Sequence, residues 1–300
     1  MARFVQPVVV DHSARGSGLS LALASRDDRL SRMRPDENCD DRTMLAVAVD
    51  WSGKLKGAAE SLWQAEVCDG KLTELRNGLP RGELITKLIE LAGEDSRMVV
   101  GLDFAFSFPA WWCEEEGWSS GKDVWAAMGH RGEELLEACE APFWGCPGKR
   151  NPHPKSRLYR RTERGEGATR PKSVFQIGGA GAVGTGSVRG MPHLLTLAEN
   201  GFGIWPFSDG WPRVVEIYPR VLTGRVNKGR WAERHTYLFR RFPEQPRDLL
   251  ERAAGSEDAF DAAVSALVMS EHEAELQALA RPAGPEYGIE GAIWRPERPD

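Results

Sequence analysis

Two short apolar segments of the chain each run directly into an aspartate. Residues 45–49 read Leu-Ala-Val-Ala-Val before Asp50, and residues 98–102 read Met-Val-Val-Gly-Leu before Asp103. Near-continuous apolar runs of this length are typical of strands that are buried on both faces of a sheet. An ionised carboxylate in such a place is expensive unless something compensates its charge.

Two further acids lie in apolar surroundings. Glu216 is inside the segment Val-Val-Glu-Ile-Tyr-Pro at 214–219, and Asp261 begins the apolar face of a predicted helix, three residues after Asp258. Residues three apart on a helix can face one site. Where several acids converge, a divalent cation with oxygen ligands is the usual compensation. The sequence therefore predicts a site for Mg²⁺ or Mn²⁺ that is held by Asp50, Asp103, Glu216, Asp258 and Asp261.

The order of predicted elements indicates a mixed α/β core. A strand at 45–51 is followed by a hairpin of 61–68 and 71–76 whose turn is Asp69-Gly70, a strong two-residue turn signal. An amphipathic helix and a second buried strand come next, and two helices and two strands follow much later. The remaining predictions are helices at 81–92, 192–199 and 257–269 and strands at 98–103, 202–207 and 213–218.

Composition narrows the function classes. The chain has 300 residues, is 41% hydrophobic and carries a net charge of −5, which by itself favours neither nucleic acid nor membrane. Its five cysteines form no C-x-x-C pair, so a zinc ribbon and a disulfide framework are both disfavoured and reduced thiols in a cytoplasmic protein fit best. No run approaches 18 apolar residues, and no membrane span is expected. Composition leaves the oligomeric state open.

The two ends of the chain differ from its centre. Residues 1–43 are rich in Arg, Asp, Glu, Ser and Gly without periodicity, which indicates a disordered extension or a natural start at Met44. Residues 44–272 are expected to form one domain with an insertion at about 110–190. A tail at 273–300 is expected to pack loosely from Arg281 onward.

Six short motifs together resemble an uncharacterised family, named domain of unknown function 429, of the ribonuclease H-like superfamily. They are the segments 47–53 (VAVDWSG), 101–109 (GLDFAFSFP), 171–176 (PKSVFQ), 189–192 (RGMP), 215–219 (VEIYP) and 258–262 (DAFDA). The resemblance implies three antiparallel strands, a helix and a fourth strand beside the first. It also implies that acids ending the first and fourth strands meet one from a late helix, in a metal-dependent nuclease.

Each acid also has a simpler explanation. Asp50 and Asp103 precede turns that their side chains could cap, and Asp258 lies where an acid favourably meets a helix dipole. Glu216 could pair with a nearby arginine, such as Arg213 or Arg220. One shared site explains all of these acids together.

The chemistry that such a site would support is phosphodiester hydrolysis. Two Mg²⁺ ions about 3.5–4 Å apart can bind between carboxylates and a phosphodiester. Asp50, on the central strand, is predicted to bridge both ions, with Asp103 and Asp261 beside it. Glu216 is either a fourth ligand or a residue that orients the ligands.

A basic segment at 149–172 predicts contact with nucleic acid. It holds nine Lys or Arg against two acids, in a chain whose total charge is negative. Cations can follow a phosphate backbone while an interleaved aromatic stacks on bases, although charge runs are often only solvated surface. The candidate substrate-binding residues are Lys155, Arg157, Tyr159, Arg160, Arg161, Lys172 and Arg189. Lys228, Arg230 and Arg234 form a second basic region, which is either the other wall of a groove or plain surface.

A glycine-rich stretch contains G-x-G-x-x-G at Gly179, Gly181 and Gly184. A dinucleotide site is disfavoured, because further glycines weaken a helix starting there. A loop whose backbone N–H groups approach an anion fits better. The favoured function is a metal-dependent nuclease. The alternatives are a phosphoryl-transfer or nucleotide-processing enzyme on the same fold and a non-catalytic nucleic-acid-binding protein.

Overall fold

A mixed six-stranded sheet lies at the centre of the protein in a computed structural model, which describes residues 43–151, 153–164, 171–179 and 181–297. The strands are β1 (Leu45–Asp50), β2 (Trp63–Cys68), β3 (Lys71–Arg76), β4 (Met98–Leu102), β5 (Gly203–Ile204) and β6 (Arg213–Glu216). Their order across the sheet is β3-β2-β1-β4-β6-β5. Strand β2 pairs antiparallel with β1 and β3, and the other pairs are parallel. The ends of β1, β4 and β6 therefore lie at one edge.

Helices flank this sheet, and a 3₁₀ turn at Arg161–Glu163 lies among them. In chain order they are α1 (Ala58–Ser61), α2 (Arg81–Glu94), α3 (Ala110–Glu115), α4 (Gly121–Ala138), α5 (Lys155–Leu158), α6 (Gly184–Glu199), α7 (Pro219–Thr223), α8 (Trp231–Arg241), α9 (Arg247–Ala254), α10 (Glu257–Glu271), α11 (Glu273–Gln277) and α12 (Tyr287–Glu290). The predicted α/β class is confirmed.

Each face of the sheet is covered by its own set of helices. Alternate residues of β1 divide between them: Val47 and Val49 pack with α2, α4 and α6, whereas Ala46 and Ala48 pack with α9 and α10. Both faces of β1 are fully buried, as its continuous apolar sequence predicts. The predicted hairpin is also confirmed, with Asp69 at φ 50° and Gly70 at φ 71°. Two successive left-handed residues are what a two-residue hairpin turn requires.

Gly101 allows α10 to lie close against β4. A Cβ atom at this position would be 2.6 Å from Met269 Sδ and 2.9 Å from Ile217 Cγ2. Only a residue without a side chain fits between the strand and these two groups. Because α10 carries Asp258 and Asp261, this close approach helps to set the depth at which both acids meet the sheet.

Helix α6 begins eight residues earlier than the predicted helix at 192–199, so that prediction was wrong about its start. Glycines weaken an isolated helix, but at Gly184 and Gly190 the neighbouring groups leave no room for a side chain. A Cβ at Gly190 would be 2.7 Å from the Phe104 ring, and one at Gly184 would be 2.2 Å from the carbonyl oxygen of Val174. Burial against these groups outweighs the low helix propensity of glycine.

The C-terminal segment is packed, and the expectation of a loose end was wrong for its described residues. Glu290, Ile293 and Trp294 are buried, and the Trp294 N–H donates to the Glu216 carbonyl at 2.8 Å. The segment thereby pairs with the end of β6, where Ile293 forms a parallel bridge with Glu216. The predicted extension at 1–43 lies, apart from Thr43, outside the described residues. Among the described residues, no helix has the length and apolar character needed to cross a bilayer.

Candidate acidic active site

Three of the predicted site residues lie where parallel strands end at the same edge of the sheet. Val49 of β1 is in register with Leu102 of β4, which is in register with Glu216 of β6. The Asp103 N–H extends the ladder by donating to the Val49 carbonyl at 3.1 Å. Asp50 and Asp103 are therefore next to each other at the ends of neighbouring strands. The parallel pairing of β1 with β4 brings these two aspartates together.

Strand alternation separates Glu216 from the two aspartates. Asp50 follows Ala46 and Ala48 on the face that α10 covers, and Asp103 follows Gly101 on that face. Glu216 shares the opposite face with Val214. Side chains of successive residues in a strand point to opposite faces. The shared edge thus has two aspartates on the α10 side and one glutamate on the other.

Helix α10 supplies the third aspartate on that side. The helix starts at the N-cap Ser256, whose Oγ accepts a hydrogen bond from the Ala259 N–H at 3.0 Å. One turn into the helix, Asp261 is only 6% exposed. Its Oδ2 accepts a hydrogen bond from Lys228 Nζ, whereas its buried Oδ1 has no hydrogen-bond partner. Asp258, three residues earlier, is half-buried.

The acids repel one another at close range. Burial raises the pKa of Asp50 well above its usual value, and the charges of Asp103 and Asp261 raise it further. Burial and then Asp261 raise the pKa of Asp103 to about 8. Burial raises the pKa of Asp261 to about 6, against the lowering effect of Lys228. Asp50 and Asp103 are close enough for their carboxyl groups to influence each other directly. Such a pair without bound cations favours one shared proton.

The donor set fits a hard divalent cation. Asp50, Asp103 and Asp261 offer only oxygen ligands, which suit Mg²⁺ or Mn²⁺, and the orphaned Asp261 Oδ1 lacks a partner that such an ion would supply. In the described part of the chain, no three Asp, Glu, His or Cys side chains are already gathered tightly enough to enclose an ion. Binding would therefore require the carboxyl groups to ionise and to close around the cation.

Glu216 is held in a buried ion-pair network. The guanidinium of Arg160 donates from Nη1 to Glu216 Oε2 at 2.8 Å and from Nη2 to Oε1 at 2.5 Å. Its Nε donates to Glu163 Oε1 at 2.9 Å. The Phe106 N–H also donates to Glu216, at 3.0 Å. Both oxygens of Glu216 are thus engaged, which makes it an orienting group more than a free ligand.

The partner of Glu216 differs from the two arginines suggested by the sequence. Arg213 donates to the Leu276 carbonyl and Arg220 to the Val226 carbonyl, each at 2.6 Å. Arg160, predicted to bind substrate, is 1% exposed and surrounded by carboxylates. Its guanidinium donates to Glu163, Glu216 and the Glu290 carbonyl, so a contact with phosphate would require one of these hydrogen bonds to break.

Two cavities open beside the acids and share Trp51, Gly53 and Ala182. One of about 160 Å³ is lined by Asp103 and Glu216, together with the side chain of Lys172. The other, of about 380 Å³, is lined by Asp50 and Asp258. A ligand at the sheet edge could therefore reach the aspartates from two directions.

Of the predicted substrate-binding residues, two line a cavity beside the acids: the buried Arg160 and the exposed Lys172. Within the described part of the chain, Lys172 is the one of these two that is exposed to solvent. Arg157 stacks over Trp111 at 4.0 Å, and Arg161 pairs with Glu286 at 3.2 Å. Lys155 is exposed at the start of α5, and Tyr159 is half-buried against the core.

Arg189 holds the loop that follows β1. It makes a two-point ion pair with Glu133 at 2.7 and 2.8 Å and donates to the Gly53 carbonyl. From the other side, Arg81 donates to the Ser52 carbonyl at 3.0 and 2.6 Å. A Cβ at Gly53 would be 2.5 Å from the backbone nitrogen of Gly186. The glycine-rich stretch therefore lets the backbone at Gly186 lie directly against the loop that follows Asp50.

Sequence reasoning missed two groups that shape this site. Lys228 stood out only as part of a basic region, yet its ammonium group contacts Asp261, 33 residues away in sequence. Glu163 stood out only as an acid within a basic segment, yet it is 2% exposed and pairs with Arg160. An acid three residues after an arginine inside a run of cations was the one available signal for a buried pair.

Comparison with known proteins gives no relative. Neither a scan against protein-family models, nor a search of curated proteins, nor a search of solved structures finds a match. Any functional assignment therefore depends on the geometry at the sheet edge.

Proposed function

We propose that this chain is a ribonuclease H-like, metal-dependent nuclease that hydrolyses phosphodiester bonds in nucleic acid. The observation that carries the proposal is the convergence of Asp50, Asp103 and Asp261 at one edge of the sheet, with a buried, unpartnered Oδ1 on Asp261. Buried carboxylates with strongly raised pKa values are typical of functional sites.

The sheet supports the ribonuclease H-like part of the proposal. Strands β1, β2 and β3 are antiparallel neighbours, helix α2 follows, and β4 lies parallel beside β1. This is the arrangement that the resemblance in the sequence implies, with the acids at the expected places. A fold by itself does not establish a reaction. The reaction depends on the groups at the site.

Each acid has a role that follows from its position. Asp50, Asp103 and Asp261 would hold Mg²⁺ or Mn²⁺ at the edge between α10 and the two central strands. When bound, such an ion lowers the pKa of a coordinated water and stabilises charge on a phosphate. Glu216, paired with Arg160, would hold the sheet edge beside Asp103 in place and would not itself bind the ion. The cavity lined by Lys172 and Tyr218 gives room for the substrate at this position.

The deciding experiment is a cleavage assay on a mixed panel of labelled DNA and RNA, single-stranded and paired, with Mg²⁺, Mn²⁺ or EDTA. We expect metal-dependent cutting by the wild type and at least a hundredfold slower cutting by Asp50→Asn. The matched control is Asp209→Asn, because Asp209 is 69% exposed and pairs with Arg281 at the surface. Binding in EDTA without any cutting would indicate a non-catalytic binding protein, and cutting that survives Asp50→Asn would contradict the proposed site.

A further inference from the structure

Lys228 places a permanent positive charge inside the acid cluster. Its Nζ contacts Asp261 Oδ2, and its side chain is only 21% exposed. The charges of Asp50 and Asp103 act on it as well as that of Asp261. One ammonium group thus contacts the carboxylate of the helix and lies within electrostatic range of the two at the strand ends.

Backbone contacts fix the loop that carries this lysine. Arg234 is 6% exposed and donates to the carbonyl of Lys228, while its Nε donates to the Ala254 carbonyl at 2.9 Å. Arg220 donates to the Val226 carbonyl at 2.6 Å. Two arginines therefore hold the chain at the lysine itself and two residues before it. The position of the ammonium group is built into the fold and does not depend on a flexible side chain alone.

Charge balance limits what else can bind at this place. Asp50, Asp103, Asp258 and Asp261 carry four negative charges when ionised, and Lys228 already neutralises one of them beside α10. A divalent ion on the Asp261 Oδ2 side would have to approach the ammonium group at contact distance, where the two cations repel strongly. The free oxygen of Asp261, Oδ1, is buried and has no partner, which leaves a position for one ion.

We infer that Lys228 takes the place of a second divalent ion, so that the site binds a single Mg²⁺ or Mn²⁺ and uses the lysine as its second cation. This inference deepens the proposed function and rests on it. In hydrolysis, water forms a new P–O bond, the P–O bond to the leaving group breaks, and negative charge grows on the leaving oxygen. The ammonium group would stabilise that charge electrostatically, while protons exchange with solvent.

The test counts bound ions directly. Mn²⁺ is titrated into the full chain, and binding is followed by calorimetry and by the electron paramagnetic resonance signal of free Mn²⁺. We expect one ion per chain for the wild type and for Lys228→Arg, which keeps the charge. Lys228→Met should bind two ions and show the spin-coupled spectrum of a manganese pair. Lys122→Met, at an exposed position on α4, is the matched control and should bind one.

Each other outcome is decisive. Two ions bound to the wild type would overturn the inference. The wild-type count can be made even if Lys228→Met fails to fold. One ion on Lys228→Met, bound more tightly than by the wild type, shows that the lysine only competes with the metal and also overturns it. A folded wild type that binds no Mn²⁺ at all contradicts the metal site of the proposed function itself. That failure is distinct from a wrong ion count.

Discussion

Arg160 and Glu216 form a two-point ion pair at 2.8 and 2.5 Å, although 56 residues separate them in the chain. Both side chains are almost fully buried, with Glu163 as the third member. Burial of three charged groups is tolerated only because each satisfies the others. The network anchors the basic segment to the end of β6, on the far side of the sheet edge from α10.

Replacing Arg160 by methionine should therefore destabilise the protein strongly. The substitution leaves two buried carboxylates without a cation, a change that typically costs about 3–5 kcal/mol. We expect a loss of that size in the free energy of unfolding, measured with urea. Arg161→Met is the control, since Arg161 is 52% exposed in its pair with Glu286, and it should cost about 1 kcal/mol or less. Equal losses in both variants would contradict the network.

Without metal, the protein should lose stability as pH rises from 6.5 to 8. The folded state holds the pKa of Asp103 at about 8, against an ordinary value of 3.8. Over this range the folded state keeps a proton that the unfolded state has released, so the free energy of unfolding falls with pH. The slope is at most about 1.4 kcal/mol per pH unit for each proton retained. The measurement is urea denaturation in EDTA at several pH values.

Asp103→Asn isolates the cause of that slope. The variant cannot ionise at this position and should lose much of the fall in stability. Below pH 6.5, half-buried His193, whose pKa is lowered to about 4 by desolvation, adds a trend of opposite sign, so only the upper range is diagnostic. Saturating Mg²⁺ should flatten the wild-type slope, because a bound cation favours the ionised carboxylates. A slope unchanged in Asp103→Asn would show that other groups cause it.

Gly101→Ala should weaken the contact between β4 and α10. The added methyl group would lie 2.6 Å from Met269 Sδ and 2.9 Å from Ile217 Cγ2. Overpacking of this kind costs about 1–3 kcal/mol. In a Met269→Ala background the clash with sulfur is removed, and the cost of Gly101→Ala should fall; a double-mutant cycle by urea denaturation measures this coupling.

The control for this glycine is Gly93→Ala in α2, where an added Cβ has nothing within 4 Å. That change should be neutral or stabilise by up to about 1 kcal/mol. Similar losses at both glycines would show that the space beside Gly101 is not limiting.

The sequence predicts Asp50, Asp103 and Asp261 as neighbours because their placement depends on simple, local signals. Apolar runs define buried strands, the Asp69-Gly70 turn defines the hairpin, and the parallel return of β4 beside β1 brings two strand ends together. The first turns of helix α10, which packs on β1, then place Asp261 beside the strand ends. None of these steps depends on the detailed course of a loop.

Contacts made by loops were not predictable in the same way. Whether Arg160 meets solvent or Glu216 depends on how residues 149–164 fold back over the sheet edge, and net charge carries no information about that path. Lys228 reaches Asp261 only because Arg234 and Arg220 hold its loop. The early start of α6 likewise follows from tertiary contacts that override glycine propensity.

Lys172 provides the most direct test of nucleic-acid contact. It is exposed, and its side chain lines the cavity that also holds Asp103. If it neutralises one phosphate, Lys172→Met should weaken binding of a labelled oligonucleotide and reduce the slope of log affinity against log salt by about 0.7–0.9. Fluorescence anisotropy from 50 to 200 mM salt in EDTA measures the slope without cutting. Lys122→Met should leave it unchanged, since Lys122 lines neither acidic cavity. Equal slopes for the wild type and Lys172→Met would remove Lys172 from the proposed interface while leaving the acidic site untouched.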